Sequence, residues 1–225
     1  MMKNLEKEIQ KYYQDFKRDF NKENFPSVFK KIEEEDSKEK LKHQHHLGTF
    51  AILYTPIRYR PKLLMIGNNP SWFDKDNGAI GYRIVQELMK SPPTENSYIE
   101  HNHTYASRMK LIFTRLNRMD LLRNCVGMNR WWLQTGSGNN HFNASCKEKS
   151  PYLKESLFEY CETRTKNIIS LIEPKVTLLI GSKAQKLMSE QNILNTKIVH
   201  VDYPFGAGIT GLQKQLEKII ENELL

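Results

Sequence analysis

The stretch Lys62-Leu63-Leu64-Met65-Ile66-Gly67 constrains the fold of this chain more than any other. It is a continuous apolar run, stopped by glycine and followed by Asn68-Asn69-Pro70. A strand with one wet face alternates apolar and polar residues. A continuous run reads instead as a strand buried on both faces, which belongs to a parallel sheet covered by helices on each side. Val176-Thr177-Leu178-Leu179-Ile180-Gly181 has the same character, and Lys197-Ile198-Val199-His200-Val201 reads as a further strand. Trp131-Trp132-Leu133-Gln134, ended by Thr135-Gly136-Ser137-Gly138, reads as the remaining one. The segment Phe50–Tyr54 reads as a short strand stopped by Pro56.

Helical patterns separate these runs. Leu5, Ile9, Tyr12, Tyr13, Phe16 and Phe20 recur at three- and four-residue steps and form one apolar helix face. A second helix is expected over Ser27–Glu35, after Pro26. Further helices are expected over Ile80–Met89, Tyr105–Leu116, Lys154–Leu171, Lys183–Glu190 (capped by Ser182) and Gly211–Leu224. Alternating strands and helices give an α/β fold: three layers, α/β/α, around a central four-stranded parallel sheet. Residues 1–47 read as an N-terminal helical extension, and residues 48–225 as the α/β domain.

A chain of 225 residues can bury a core without covalent staples. No apolar run approaches the roughly 18–20 residues that cross a bilayer. The polar start, Met1-Met2-Lys3-Asn4-Leu5-Glu6-Lys7, lacks the apolar centre of a secretion signal. The expectation is a cytoplasmic monomer. Cys125, Cys146 and Cys161 are odd in number and widely spaced, which argues against a disulfide framework and falls short of a four-thiolate cluster. No cofactor or metal is expected. His43, His45 and His46 lie in a charged segment, and His101-Asn102-His103 reads as a loop. Gly136-Ser137-Gly138 lacks the Gly-Lys-Ser/Thr ending of a phosphate-binding loop. The net charge of +8 suits a polyanionic partner.

Open parallel sheets bind ligands at the carboxyl ends of their strands. Three of these ends carry distinctive residues: Gly67-Asn68-Asn69-Pro70-Ser71, Gln134-Thr135-Gly136, and His200-Val201-Asp202-Tyr203-Pro204-Phe205-Gly206. Gln134 ends the run at Trp131. Ile66-Gly67-Asn68-Asn69-Pro70 resembles the first motif of the uracil-DNA glycosylase superfamily in its Asn-Pro form. His200, with Pro204 and a glycine-rich turn, is similar to a divergent second motif. The helix from Cys161, the turn Glu173-Pro174-Lys175 and the strand that follows match the intervening context, so the resemblance spans about residues 60–225.

The resemblance implies hydrolysis of the N-glycosidic bond of uracil or a related damaged base in DNA. It assigns Asn69 to positioning water and His200 to donating to the departing base. Asn68 and Gln134 would read the base edge, and Trp72, Phe73 or Tyr82 would stack on the base. Tyr203, Pro204, Phe205, Gly206 and Gly208 would meet the DNA backbone, with Phe205 or Ile209 as an apolar wedge. The sequence departs from the family at Asp202, a carboxylate near an expected phosphate. An alternative reading on the same fold is a protein that binds nucleic acid or a nucleotide without cleaving it. A third is an interaction module built on the N-terminal helices.

Overall fold

The computed structural model describes residues 2–38, 49–68, 87–133, 144–185, 196–204 and 208–224. Its four strands are β1 (Leu63–Gly67), β2 (Val126–Asn129), β3 (Val176–Ile180) and β4 (Lys197–Val201). All neighbouring strands pair in parallel, in the order β2-β1-β3-β4. The described helices are α1 (Met2–Asp19), α2 (Pro26–Lys38), α3 (Ser97–Glu100), α4 (Thr104–Arg115), α5 (Met119–Asn124), α6 (Leu157–Ile172), α7 (Ser182–Gln185) and α8 (Gly208–Ile219). A π-helical turn, Ile220–Leu224, continues α8. The fold is three-layered α/β/α around a parallel sheet.

β1 and β3 lie in the middle of the sheet, and the residues Leu63–Ile66 and Val176–Ile180 are all buried. Their alternation divides the core into two. Leu64, Ile66, Val126, Met128 and Leu179 pack with α1, α2 and α6. Leu63, Met65, Val176, Leu178 and Ile180 pack with α4, α5 and α8 on the opposite face. The N-terminal helices are therefore a layer of the fold: Leu5, Ile9, Tyr13 and Phe16 sit in the same core as the sheet. The Tyr13 hydroxyl oxygen accepts the Leu53 N–H at 3.2 Å, which ties α1 to the segment before β1.

The second strand differs from the sequence expectation. β2 is Val126–Asn129, and Trp131, Trp132 and Leu133 follow it. Volume explains the shift. Trp132 fills the space between layers against Tyr12, Phe16 and Tyr160, and its Nε1 donates to Thr165 Oγ1 at 3.2 Å. Gly127 sits instead in the ladder, paired with Met65, because the Tyr98 ring lies on it: a Cβ at Gly127 would come within 2.5 Å of that ring. Residues 50–53 are a partner for this region but only through isolated antiparallel bridges, Phe50 to Leu133 and Leu53 to Met128. The expected Phe50–Tyr54 strand is thus a sheet-edge cover.

Helix α6 begins at Leu157, three residues after the expected start, because Ser156 and Glu159 form a reciprocal capping box. It ends where Glu173 adopts a left-handed conformation, φ 49°, ahead of Pro174. Helix α4 spans Thr104–Arg115, one residue from the expected bounds at each end, and α8 opens at Gly208 rather than Gly211. Of the expected helix 80–89, most lies outside the described residues. No described helix is long and apolar enough to cross a membrane.

Gly127→Ala is expected to destabilise the chain by about 1–3 kcal/mol, the range for overpacking a tight core site. Urea unfolding checks this. A companion Tyr98→Leu change, which frees the space, should recover part of the loss in the double variant.

Candidate functional site

In open parallel sheets ligands bind beside the topological switch point, and the strand order locates that point here. The chain leaves β1 toward β2 on one side and later returns to β3 on the other, so the topological switch lies between β1 and β3. The carboxyl ends there are Gly67-Asn68 and Gly181-Ser182, flanked by Asn129-Arg130 at the end of β2 and Asp202-Tyr203 just after β4.

Asn129 is the best-defined polar group at this edge. It is 2% exposed and faces the end of β1: a Cβ at Gly67 would stand 3.3 Å from Asn129 Oδ1. Its amide nitrogen donates to the Ala51 carbonyl at 3.2 Å and to the Tyr54 hydroxyl at 2.7 Å. A main-chain carbonyl only accepts, so this network fixes the amide orientation and turns Oδ1, an acceptor, toward Gly67. The sequence reading missed Asn129 because it placed the second strand over the tryptophans and took Gln134 as its end. Gln134 follows the true strand end by five positions and lies outside the described residues.

The β1 and β2 chains stay together beyond their strands. Arg130 N–H donates to Gly67 O at 2.9 Å, and Trp131 N–H to Asn68 O at 2.8 Å. Asn68 is half-buried in this arrangement. Arg130 is buried, donates through Nε to Glu162 at 2.9 Å, and lies 4.7 Å over the Phe158 ring. The Trp131 indole N–H beside it is buried and has no hydrogen-bond partner among the described residues.

Tyrosines line the α4 side of the same edge. Tyr54 lies 6.3 Å from Tyr98, Tyr98 5.9 Å from Tyr105, and Tyr105 5.7 Å from Tyr203, centroid to centroid. Burial pushes the Tyr54, Tyr98 and Tyr105 hydroxyls above their ordinary range, so all three stay protonated. Burial raises Tyr203 as well, with Arg108 opposing it.

Other expected site residues are dispersed. His200 is exposed on the edge strand β4, level with Leu179 and hence with Ile66 of β1. By strand alternation its side chain leaves the face that carries Ile66 and Leu179, whereas Asn129 leaves the opposite face, toward Tyr54. The structure does not bring His200 and Asn129 together. Pro204 is buried, and its carbonyl accepts from Arg108 at 3.0 Å. Asp202 turns toward α8: its carboxylate accepts from Gln215 at 3.2 Å, and its own N–H donates to the Gln215 amide oxygen at 2.9 Å. Asn69, Trp72, Phe73, Tyr82, Phe205 and Gly206 lie outside the described residues.

Burial pushes the Cys125 and Cys161 thiols up to about 12 and Cys146 well above its ordinary value, which leaves no reactive thiolate at neutral pH. Among the described residues no three His, Cys, Asp or Glu side chains cluster as metal ligands. His103 is structural, capping α4 by accepting the Ala106 N–H on Nδ1 at 3.3 Å. Comparison with known protein families and with curated proteins finds no match for this chain.

Burial, with His101 and Lys110 nearby, holds His103 down at about 4. The folded state therefore binds this proton more weakly than the unfolded chain, whose histidine titrates near 6.5. The contribution is complete above about pH 6.5 and declines as pH falls toward about 4, by on the order of 3 kcal/mol in full. His103→Asn keeps a capping side chain that does not titrate there. Its stability relative to wild type should rise as pH falls through this window, measured by urea unfolding; a constant difference would contradict the assignment.

Proposed function

We propose that this chain is a DNA base-excision glycosylase that reads a base at the carboxyl ends of β1 and β2 and hydrolyses its N-glycosidic bond. The observation that carries this reading is the anchored Asn129 amide beside Gly67, the first residue of the Gly67-Asn68-Asn69-Pro70 motif. Both amide hydrogens are committed, so a base entering there meets an oriented acceptor, Oδ1. That group suits the imide N–H of uracil. A site built to pair such an edge discriminates strongly against bases that leave the acceptor unpaired.

In the proposed reaction the carbon–nitrogen bond breaks with its electron pair leaving on the base, water adds its oxygen to the sugar C1′, and the proton that the water loses ends on the base anion. Asn69, by its resemblance to the family motif, holds the water. An amide cannot take up a full proton, so it orients the nucleophile more than it activates it. The resemblance alone assigns His200 to the departing base. Asp202 is held by Gln215 against the first turn of α8, beside Gly211, so its carboxylate opposes a backbone phosphate at that helix end.

The second reading, base binding without cleavage on the same fold, is favoured by the separation of His200 from Asn129 across the sheet. Release of base from a labelled uracil-containing oligonucleotide decides between them. In the excision reading, Asn69→Ala lowers the single-turnover rate at least tenfold with binding nearly unchanged, because its role is confined to the transition state. Asn129→Ala weakens discrimination between uracil and cytosine. Oligonucleotide binding with no released base, on any of uracil, hypoxanthine or mismatched substrates, would leave the binding reading.

A further inference from the structure

The geometry points to Tyr203 as a preformed stacking platform for one nucleobase of a single strand. The inference depends on the nucleic-acid reading of this edge, but not on excision. Tyr203 follows β4 at the carboxyl edge and is 40% exposed, which few large apolar or aromatic side chains among the described residues match. Isolated exposed rings are common and usually need no account. This one is held from several sides.

Its main chain is fixed first. Gly181 N–H donates to Val201 O at 2.8 Å, which ties the β4 end to the β3 end. Arg108, reaching from α4, holds the Pro204 carbonyl at 3.0 Å. Helix α8 opens hard against the Tyr203 carbonyl, where a Cβ at Gly208 would come within 2.2 Å of the oxygen, so only glycine fits. The ring is fixed next. It lies over Gly181, whose φ of 82° suits glycine, and a Cβ there would be 3.4 Å from Tyr203 Cδ2. Tyr105 supports it at 5.7 Å and 40°, with Tyr98 and Tyr54 behind.

An aromatic ring that is both exposed and locked loses little conformational freedom when a planar partner stacks on it. Nucleobases are such partners, and stacking is tolerant of sequence because every base has a π-face. The row of tyrosines runs from Tyr203 to Tyr54, and Tyr54 meets Asn129. A strand lying along the carboxyl edge can thus place one base against Tyr203 while another reaches Asn129. Arg108 adds positive charge beside the platform and acts as a positioning residue through Pro204.

The test is fluorescence-anisotropy titration of a labelled oligothymidylate without uracil, at low salt, with thymidine monophosphate as a parallel competitor. Tyr203→Phe should bind within about twofold of wild type, since the π-face remains. Tyr203→Leu, of similar bulk, should weaken oligonucleotide binding by about five- to 100-fold. Circular dichroism and urea unfolding confirm that each variant is folded, and Tyr105→Leu supplies a second loss through the supporting ring. Wild-type affinity in Tyr203→Leu overturns the platform, as does an equal loss in Tyr203→Phe, which would assign the hydroxyl instead. Tyr203-dependent binding of the mononucleotide but not of the strand overturns the single-strand assignment. Tyr203-dependent strand binding with no base release upholds the platform and removes only the glycosylase reading.

Discussion

The parallel ladder of β1 between β2 and β3 is the constraint on which the rest of the molecule depends. Its backbone groups are paired on both sides, and its side chains are buried on both faces. A strand so placed needs two helical layers, and segments from along the whole chain supply them: α1, α2 and α6 on one face, α4, α5 and α8 on the other. The N-terminal helices are recruited because β1 and β2 would otherwise present Leu64, Ile66, Val126 and Met128 to water. Phe16 alone contacts Phe20, Phe50, Trp132 and Tyr160, so this layer is joined by aromatic packing across distant parts of the chain.

The same ladder positions the chemistry. Because β1 is central, its carboxyl end lies beside the carboxyl ends of both neighbours, and small residues there leave room for larger side chains to converge. Gly127 admits Tyr98, and Gly67 abuts Asn129. Tyr98 is part of the row that ends at Tyr203, and Asn129 is bonded to the first tyrosine of that row. Packing on the sheet and the polar arrangement at its edge are consequences of one set of strand positions.

Buried polar groups sharpen this arrangement. An amide as deeply buried as Asn129 is tolerated because its nitrogen is satisfied twice, and that satisfaction is what aims its oxygen. Thr55 plays a similar part nearby, donating to Cys125 O at 3.2 Å and accepting the Gly127 N–H at 2.9 Å. The segment before β1 is thereby tied to β2 without forming a continuous strand.

The sequence by itself determined the layer architecture and two strands to the residue, Val176–Ile180 and Lys197–Val201, with β1 displaced by one position at its start. Apolar runs ended by glycine are local signals, and a strand buried on both faces has few other readings. It also marked Gly67-Asn68 and Tyr203 as strand-end residues, since those positions follow directly from the strands. Only the tertiary structure decided the second strand and the partners of the site. Trp131–Leu133 is more apolar than Val126-Gly127-Met128-Asn129, and hydrophobicity alone prefers it. The choice is made by volume: an indole fits between layers, and a glycine is required where Tyr98, remote in sequence, lies against the ladder. Asn129, the orientation of Asp202 and the tyrosine row are fixed by contacts between segments distant along the chain, which no local pattern encodes.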